Sequence, residues 1–213
     1  MKGLLTHSAE ETIAFGAALG RVTKPGDVLV LTGDLGAGKT QFAKGIAQGL
    51  GIAEAVTSPT FNIMLVYEAN NGQRLNHLDL YRLDDPAQLD DIDYFGCLES
   101  DAVSLVEWGD KFPTALPLEY LEASFELMLS EEDSLKTGEF LANTRMISLV
   151  AHGSRAVQLL QAWQAEGALV CEEGALVLAE DASERVEDAL ARVGDALVRA
   201  LDEPMGAEGL RNG

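Results

Sequence analysis

Positive charge is what this chain has least of. Its 15 Lys and Arg residues stand against 35 Asp and Glu, a formal net charge of −20. Proteins that grip a nucleic-acid backbone unaided present a basic stripe to it, so tight direct binding of RNA or DNA is not expected. Cysteine is scarce too. Cys97 and Cys171 have neither metal nor redox spacing and read as core thiols of a reducing cytosol. No apolar run approaches the ~20 residues of a membrane span, so no membrane association is expected. The opening Met1 to Ser8 is too short and too soon polar for a secretory leader. A cytoplasmic protein is therefore expected. An Asn-Lys-x-Asp guanine-reading signature is also missing, which makes GTP the weaker substrate candidate.

What is present is dominated by one stretch. Gly33-Asp34-Leu35-Gly36-Ala37-Gly38-Lys39-Thr40 fits G-x-x-x-x-G-K-[ST]. Asp27 to Thr32 before it reads as a buried parallel strand. Gln41 to Leu50 after it reads as a helix, with Phe42, Ile46, Ala47 and Leu50 on one face and Gly51 as its stop. Strand, glycine loop and helix form the context a phosphate-binding P-loop requires. The glycines let successive N–H groups converge on phosphate oxygens, and the helix N-terminus adds partial positive charge. Lys39 can reach the β- and γ-phosphates, and the Thr40 hydroxyl can ligate Mg²⁺. Gly33, Asp34, Gly36, Ala37, Gly38, Lys39 and Thr40 are thus expected to hold a nucleotide.

With 213 residues, 47% of them hydrophobic, the chain can bury roughly 70% of its unfolded surface in one domain, with room for an appendage. Ser8-Ala9-Glu10-Glu11 predicts a capped helix ending near Gly20, with Ile13 and Leu19 on its buried side. Asn70-Asn71-Gly72 predicts a hairpin between strands at Phe61 to Tyr67 and Arg74 to Leu80. Asp85-Pro86 predicts a helix start, with Leu89, Ile92 and Phe95 turned inward. Ala102 to Trp108 is a second buried strand. Tyr120 to Leu129 and Arg145 to Ala151 read as an antiparallel pair flanking an acidic loop, Ser130 to Gly138. A helix from Ser154 would bury Val157, Leu160 and Trp163. The fold class is therefore α/β, a P-loop NTPase with a parallel central sheet, added antiparallel strands and flanking helices.

The division expected is a P-loop domain over residues 1–165 and an acidic extension over 166–213. The extension carries 12 acidic and 4 basic residues. It offers a weak hairpin at Leu169 to Leu178, a helix over 181–201 with Val186, Leu190, Val193, Leu197 and Leu201 in one stripe, and a disordered tail from Asp202.

A P-loop names a substrate class and no reaction. Chemistry must come from groups at strand ends, where open α/β sheets place their ligands. Asp79 and Glu107 both end apolar strands. Either could complete the Mg²⁺ shell opposite Thr40 while the other orients an attacking water. Thr57, Ser58 and Thr60, around Pro59, occupy a switch-like linker whose hydroxyls could meet the γ-phosphate. Arg82 could act as an arginine finger in cis or pair with Asp84 or Asp85. His77 shares a strand face with Asp79 and reads as structural. A small-molecule kinase would need an acceptor pocket and a basic lid, for which Lys44, Arg74, Arg82, Lys111 and Lys136 are sparse. A nucleotide-gated binding switch is a further alternative.

The P-loop sequence, Thr57-Ser58-Pro59-Thr60-Phe61, His77-Leu78-Asp79-Leu80-Tyr81-Arg82-Leu83 and Leu105-Val106-Glu107-Trp108, in this order and spacing, resemble the TsaE (YjeE) family. Its members are small P-loop ATPases of bacterial threonylcarbamoyladenosine tRNA modification. The resemblance covers roughly residues 4 to 165. It implies Lys39 on phosphate, Thr40 with Glu107 on Mg²⁺, Asp79 needed for hydrolysis, and Arg145 near the nucleotide. It also implies ATP as substrate and TsaB and TsaD as partners. TsaD, scaffolded by TsaB, modifies adenosine 37 of ANN-decoding tRNAs, and ATP hydrolysis by TsaE, weak without the partners, supports turnover.

Overall fold

Strands buried on both faces must lie inside a covered sheet, and three such segments, Val28–Gly33, Arg74–Asp79 and Val103–Glu107, form the centre of this molecule. The computed structural model describes residues 2–128, 144–165, 169–172 and 175–178. The first half runs β1 (Lys2–Thr6), α1 (Ala9–Val22), β2 (Val28–Gly33), α2 (Lys39–Leu50), β3 (Met64–Glu68) and β4 (Arg74–Asp79). Next come α3 (Gln88–Asp91), α4 (Tyr94–Glu99), β5 (Val103–Glu107), two short 3₁₀ turns and β6 (Tyr120–Leu127). The remainder is β7 (Arg145–His152), α5 (Gly153–Ala165), β8 (Leu169–Glu172) and β9 (Ala175–Leu178).

The sheet order is β3-β4-β5-β2-β6-β7-β1-β9-β8. Strands β4, β5, β2 and β6 are mutually parallel; β3 and β7 flank them antiparallel. The two segments expected as an added antiparallel pair do pair with each other, but β6 also joins β2 as a parallel member of the core. One face packs Phe15, Leu19, Phe42, Ile46 and Trp163 from the helices on Leu29, Leu31, Leu105 and Leu121. A smaller cluster of Leu78, Leu80, Leu89, Tyr94, Val106 and Phe112 covers the other face near the strand ends. Among the described residues no helix is long and apolar enough to cross a membrane.

Helix α1 starts where Ser8 predicts: the Ser8 hydroxyl accepts the Glu11 N–H at 3.0 Å. The Glu11 carboxylate turns back one residue further than a capping box would have it, accepting the His7 N–H at 2.7 Å. The helix runs past Gly20 to Val22. Helices α1 and α2 then meet backbone to backbone. A Cβ on Gly45 would strike the Ile13 carbonyl oxygen, and one on Gly49 the Ala17 carbonyl oxygen.

Three expectations need correction. The segment expected as a strand from Phe61 becomes one only at Met64, and Phe61 is 82% exposed. The helix expected from Asp85 is split into α3 and α4, because Asp93 takes a left-handed backbone (φ +51) between them. That break turns Tyr94 inward and leaves Phe95 exposed, with Ile92 half-buried. Asp85 works as a local cap instead, its Oδ1 accepting the Ala87 N–H at 2.9 Å. In α5 the buried stripe is Ala156, Leu159 and Trp163, while Val157 is exposed. Strand β1, too short to be read from Leu4 and Leu5 alone, pairs with β7 on one side and β9 on the other.

Strands β8 and β9 form the antiparallel hairpin expected at Leu169 to Leu178. The acidic loop at Ser130 to Gly138, the helix over 181–201 and the tail beyond it lie outside the described residues.

Candidate nucleotide site

The parallel strands β2, β4 and β5 end at the same edge of the sheet, and a cavity of about 310 Å³ opens there. Glycine makes the loop possible. Gly38, the residue before α2, has φ +112, and a Cβ on it would lie 2.9 Å from the Arg145 Nε. Gly33 and Gly36 also have left-handed φ values, +119 and +81. Lys39, the first residue of α2, is 4% exposed. Its Nζ donates to the carbonyls of Gly33 at 2.5 Å and Asp34 at 2.8 Å and sits 4.0 Å from the Trp108 ring centre. Burial pushes the Lys39 ammonium below its ordinary pKa, opposed by the nearby carboxylates of Glu107, Asp79, Asp110 and Asp34. An anionic phosphate beside such a cation would favour its charged form and add a charge-assisted hydrogen bond.

Register places the two carboxylates side by side. Asp79 and Glu107 are paired positions of β4 and β5, and both side chains are buried. They do different things. Glu107 accepts the Thr40 hydroxyl at 3.2 and 3.3 Å. Asp79 gathers the linker: its Oδ2 accepts the Ser58 hydroxyl at 3.1 Å and the Thr60 hydroxyl at 2.5 Å, while its Oδ1 accepts the Tyr81 N–H at 3.0 Å.

The cavity is lined by Gly36, Gly38, Lys39 and Thr40 of the loop, by Ser58, Thr60, Asp79 and Glu107, and by Arg145. The other expected residues stand further back. The Gly33 and Asp34 carbonyls hold Lys39, and Ala37 packs in the core. The exposed Thr57 donates its N–H to the Tyr67 hydroxyl at 3.4 Å. Arg82 lies over the Phe61 ring, 4.4 Å from its centre, and Asp84 is bound by Lys111 instead.

Three further residues stand at the site that the sequence placed only within the family motifs, with no part in the chemistry: Tyr81, Trp108 and His77. Trp108 and Tyr81 line the cavity with their rings 5.1 Å apart. His77 is fully buried, with its Nε2 2.9 Å from Glu107 Oε1. Its alternation with Asp79 was the available signal; its partner lies 30 residues away on the next strand.

A family model described as threonylcarbamoyl adenosine biosynthesis protein TsaE matches residues 6–137. The chain belongs to the TsaE family. Relatives named tRNA threonylcarbamoyladenosine biosynthesis protein TsaE include one from Treponema pallidum, 42% identical over 113 residues (53% of this chain, 82% of that protein). Another, from Bacillus subtilis, is 45% identical over 118 residues (55% of this chain, 72% of that protein). The crystal structure of Bacillus subtilis YdiB superposes with a TM-score of 0.59 at 34% identity, covering 76% of this chain and 93% of that one.

The residues of this TsaE-family site suit magnesium. Thr40 and Glu107 offer hard oxygen donors, and the described residues contain no cluster of three His, Cys, Asp or Glu able to cage an ion without help. Magnesium is commonly held this way, by one or two protein oxygens, substrate phosphates and water.

Proposed function

We propose that this chain is a Mg²⁺-dependent ATPase that works in the cytoplasm with counterparts of TsaB and TsaD. Together they would form threonylcarbamoyladenosine at position 37 of ANN-decoding tRNAs. The names borne by its relatives support the pathway. The observation that carries the chemistry is the placement of Thr40, Glu107 and Asp79 around the mouth of one glycine loop.

The loop N–H groups and Lys39 bind the β- and γ-phosphates and fix the line of attack. Thr40 and Glu107 would hold a Mg²⁺ ion, which would supply charge neutralisation for the phosphate oxygens. Asp79 accepts a hydrogen bond from the attacking water and orients it. The water oxygen bonds to the γ-phosphorus as the bond to the β–γ bridging oxygen breaks, releasing ADP and phosphate. Ser58 and Thr60 keep Asp79 oriented and tie the linker to it. Arg145 flanks the loop beside Gly38.

Phosphate release from ATP, measured with and without Mg²⁺ beside Lys39→Ala, Asp79→Ala and Glu107→Ala, tests this. Slow metal-dependent turnover lost in all three variants supports it, and turnover surviving in Glu107→Ala would overturn the metal assignment. The clasp of Ser58 and Thr60 on Asp79 also favours a second reading, a nucleotide-gated binding switch. A variant that binds ATP, cannot hydrolyse it and still supports tRNA modification would favour the switch. Arg82 and Lys111 are engaged by Phe61, Tyr81 and Asp84, which weighs against a basic kinase lid. Stimulation by one metabolite acceptor would revive the kinase.

A further inference from the structure

Glu107 is held from two sides, and only one of them belongs to the loop. Besides Thr40 it meets His77, whose Nε2 is 2.9 Å from Glu107 Oε1; the His77 and Glu107 side chains are 0% and 3% exposed. An ionised carboxylate can only accept, so the hydrogen belongs on Nε2. The other ring nitrogen, Nδ1, has no partner among the described residues. That assignment fits, because a buried lone pair without a partner is tolerated more readily than a buried N–H without one. The residues in register beside His77 are Leu65 and Leu105, which offer no competing side-chain acceptor. The ring therefore makes one polar side-chain contact, and it is to the carboxylate.

We propose that His77 is a positioning residue of the metal site. Its Nε2–H fixes the rotation of the Glu107 carboxylate, so that the carboxylate meets Thr40 and the divalent cation without having to be ordered on binding. This rests on the Mg²⁺–ATP reading above. Histidine and carboxylate exchange their usual places: here the carboxylate ligates and the imidazole orients it. Loss of such a supporting partner costs metal affinity on the order of 10–100-fold. The phosphate grip of Lys39 and the loop amides is untouched by it.

The test is ATP binding by the full chain, followed by calorimetry in EDTA and across a Mg²⁺ titration, for the wild type, His77→Leu and His77→Gln. Thermal melts run in parallel. His77→Leu keeps bulk and removes the donor; His77→Gln can return an amide N–H near the Nε2 position. The expected result is unchanged ATP affinity in EDTA for all three proteins. The Mg²⁺ concentration needed for tight binding should rise about 10–100-fold in His77→Leu, with most of that loss recovered in His77→Gln. If His77→Leu does not fold, His77→Asn, whose amide is too short to reach Glu107, takes its place. A Mg²⁺ requirement that stays at the wild-type value in His77→Leu, or that rises equally in the Leu and Gln variants, overturns the positioning role alone. ATP binding that ignores Mg²⁺ in the wild type overturns it together with the reading on which it rests.

Discussion

Thr40 and Glu107 are 67 residues apart in sequence, and the Thr40 hydroxyl lies 3.2 and 3.3 Å from the two oxygens of the Glu107 carboxylate. One stands in the first turn of α2 and the other ends β5, so the parallel pairing of β2 with β5 brings them together. Because the proposed metal site uses both, Thr40→Val and Glu107→Gln should each lower Mg²⁺-dependent ATP turnover about 100-fold or more, the usual cost of losing one preorganised electrostatic partner. The double variant should be little worse than either single one. Phosphate-release assays on the three proteins check this, and additive losses would mean that the two act separately.

Asp79 is expected to separate binding from turnover. Asp79→Asn keeps the volume of the side chain, so ATP affinity should stay within a few-fold of wild type. Hydrolysis should fall about 10²–10⁴-fold, the range for losing a positioned general base or water-orienting group. Calorimetry beside turnover decides, since a loss of binding would make Asp79 a scaffold for the linker.

The α1–α2 contact gives a stability test away from the cavity. Alanine favours an isolated helix over glycine by about 1 kcal/mol. At Gly45 and Gly49, however, the added methyl group collides with carbonyl oxygens of α1. Gly45→Ala and Gly49→Ala should therefore each destabilise by about 1–3 kcal/mol, the range for overpacking. Chemical denaturation measures this, and a stabilised variant would contradict the close approach.

Glu119 caps α5 from outside the helix, its Oε1 accepting the Ser154 hydroxyl at 2.9 Å and the Ser154 and Arg155 N–H groups at 3.0 and 3.4 Å. The Ser154 hydroxyl, then the Arg155 N–H, hold its carboxyl below the ordinary 4.5. A carboxyl lowered in the folded state contributes stability in full above its ordinary value. That contribution is lost as pH falls through the lowered one. Glu119→Gln should thus lower the thermal midpoint at pH 7, and its gap from wild type should narrow as pH falls below 4.5. Melts across that range check the sign.

Local pattern made the loop, α2 and both strand-end carboxylates legible, because strand, glycine turn and helix lie within one short stretch of chain. What stayed hidden depends on partners distant in sequence. His77 looked like any core histidine until β4 and β5 paired and set it against Glu107. β1 has two leucines and needs β7 to be a strand at all. The split of α3 from α4 turns on one left-handed residue, Asp93, which no hydrophobic period announces. Arg82 offered two roles by its neighbours in sequence, and tertiary structure gave it a third, the Phe61 ring.

The most direct measurement is phosphate release from Mg²⁺–ATP by the full chain, alone and with its TsaB and TsaD counterparts, beside Lys39→Ala. The expected result is slow basal hydrolysis that rises when both partners are present and disappears in Lys39→Ala. Turnover that is indifferent to those partners, or that persists in Lys39→Ala, would contradict a partner-stimulated P-loop ATPase.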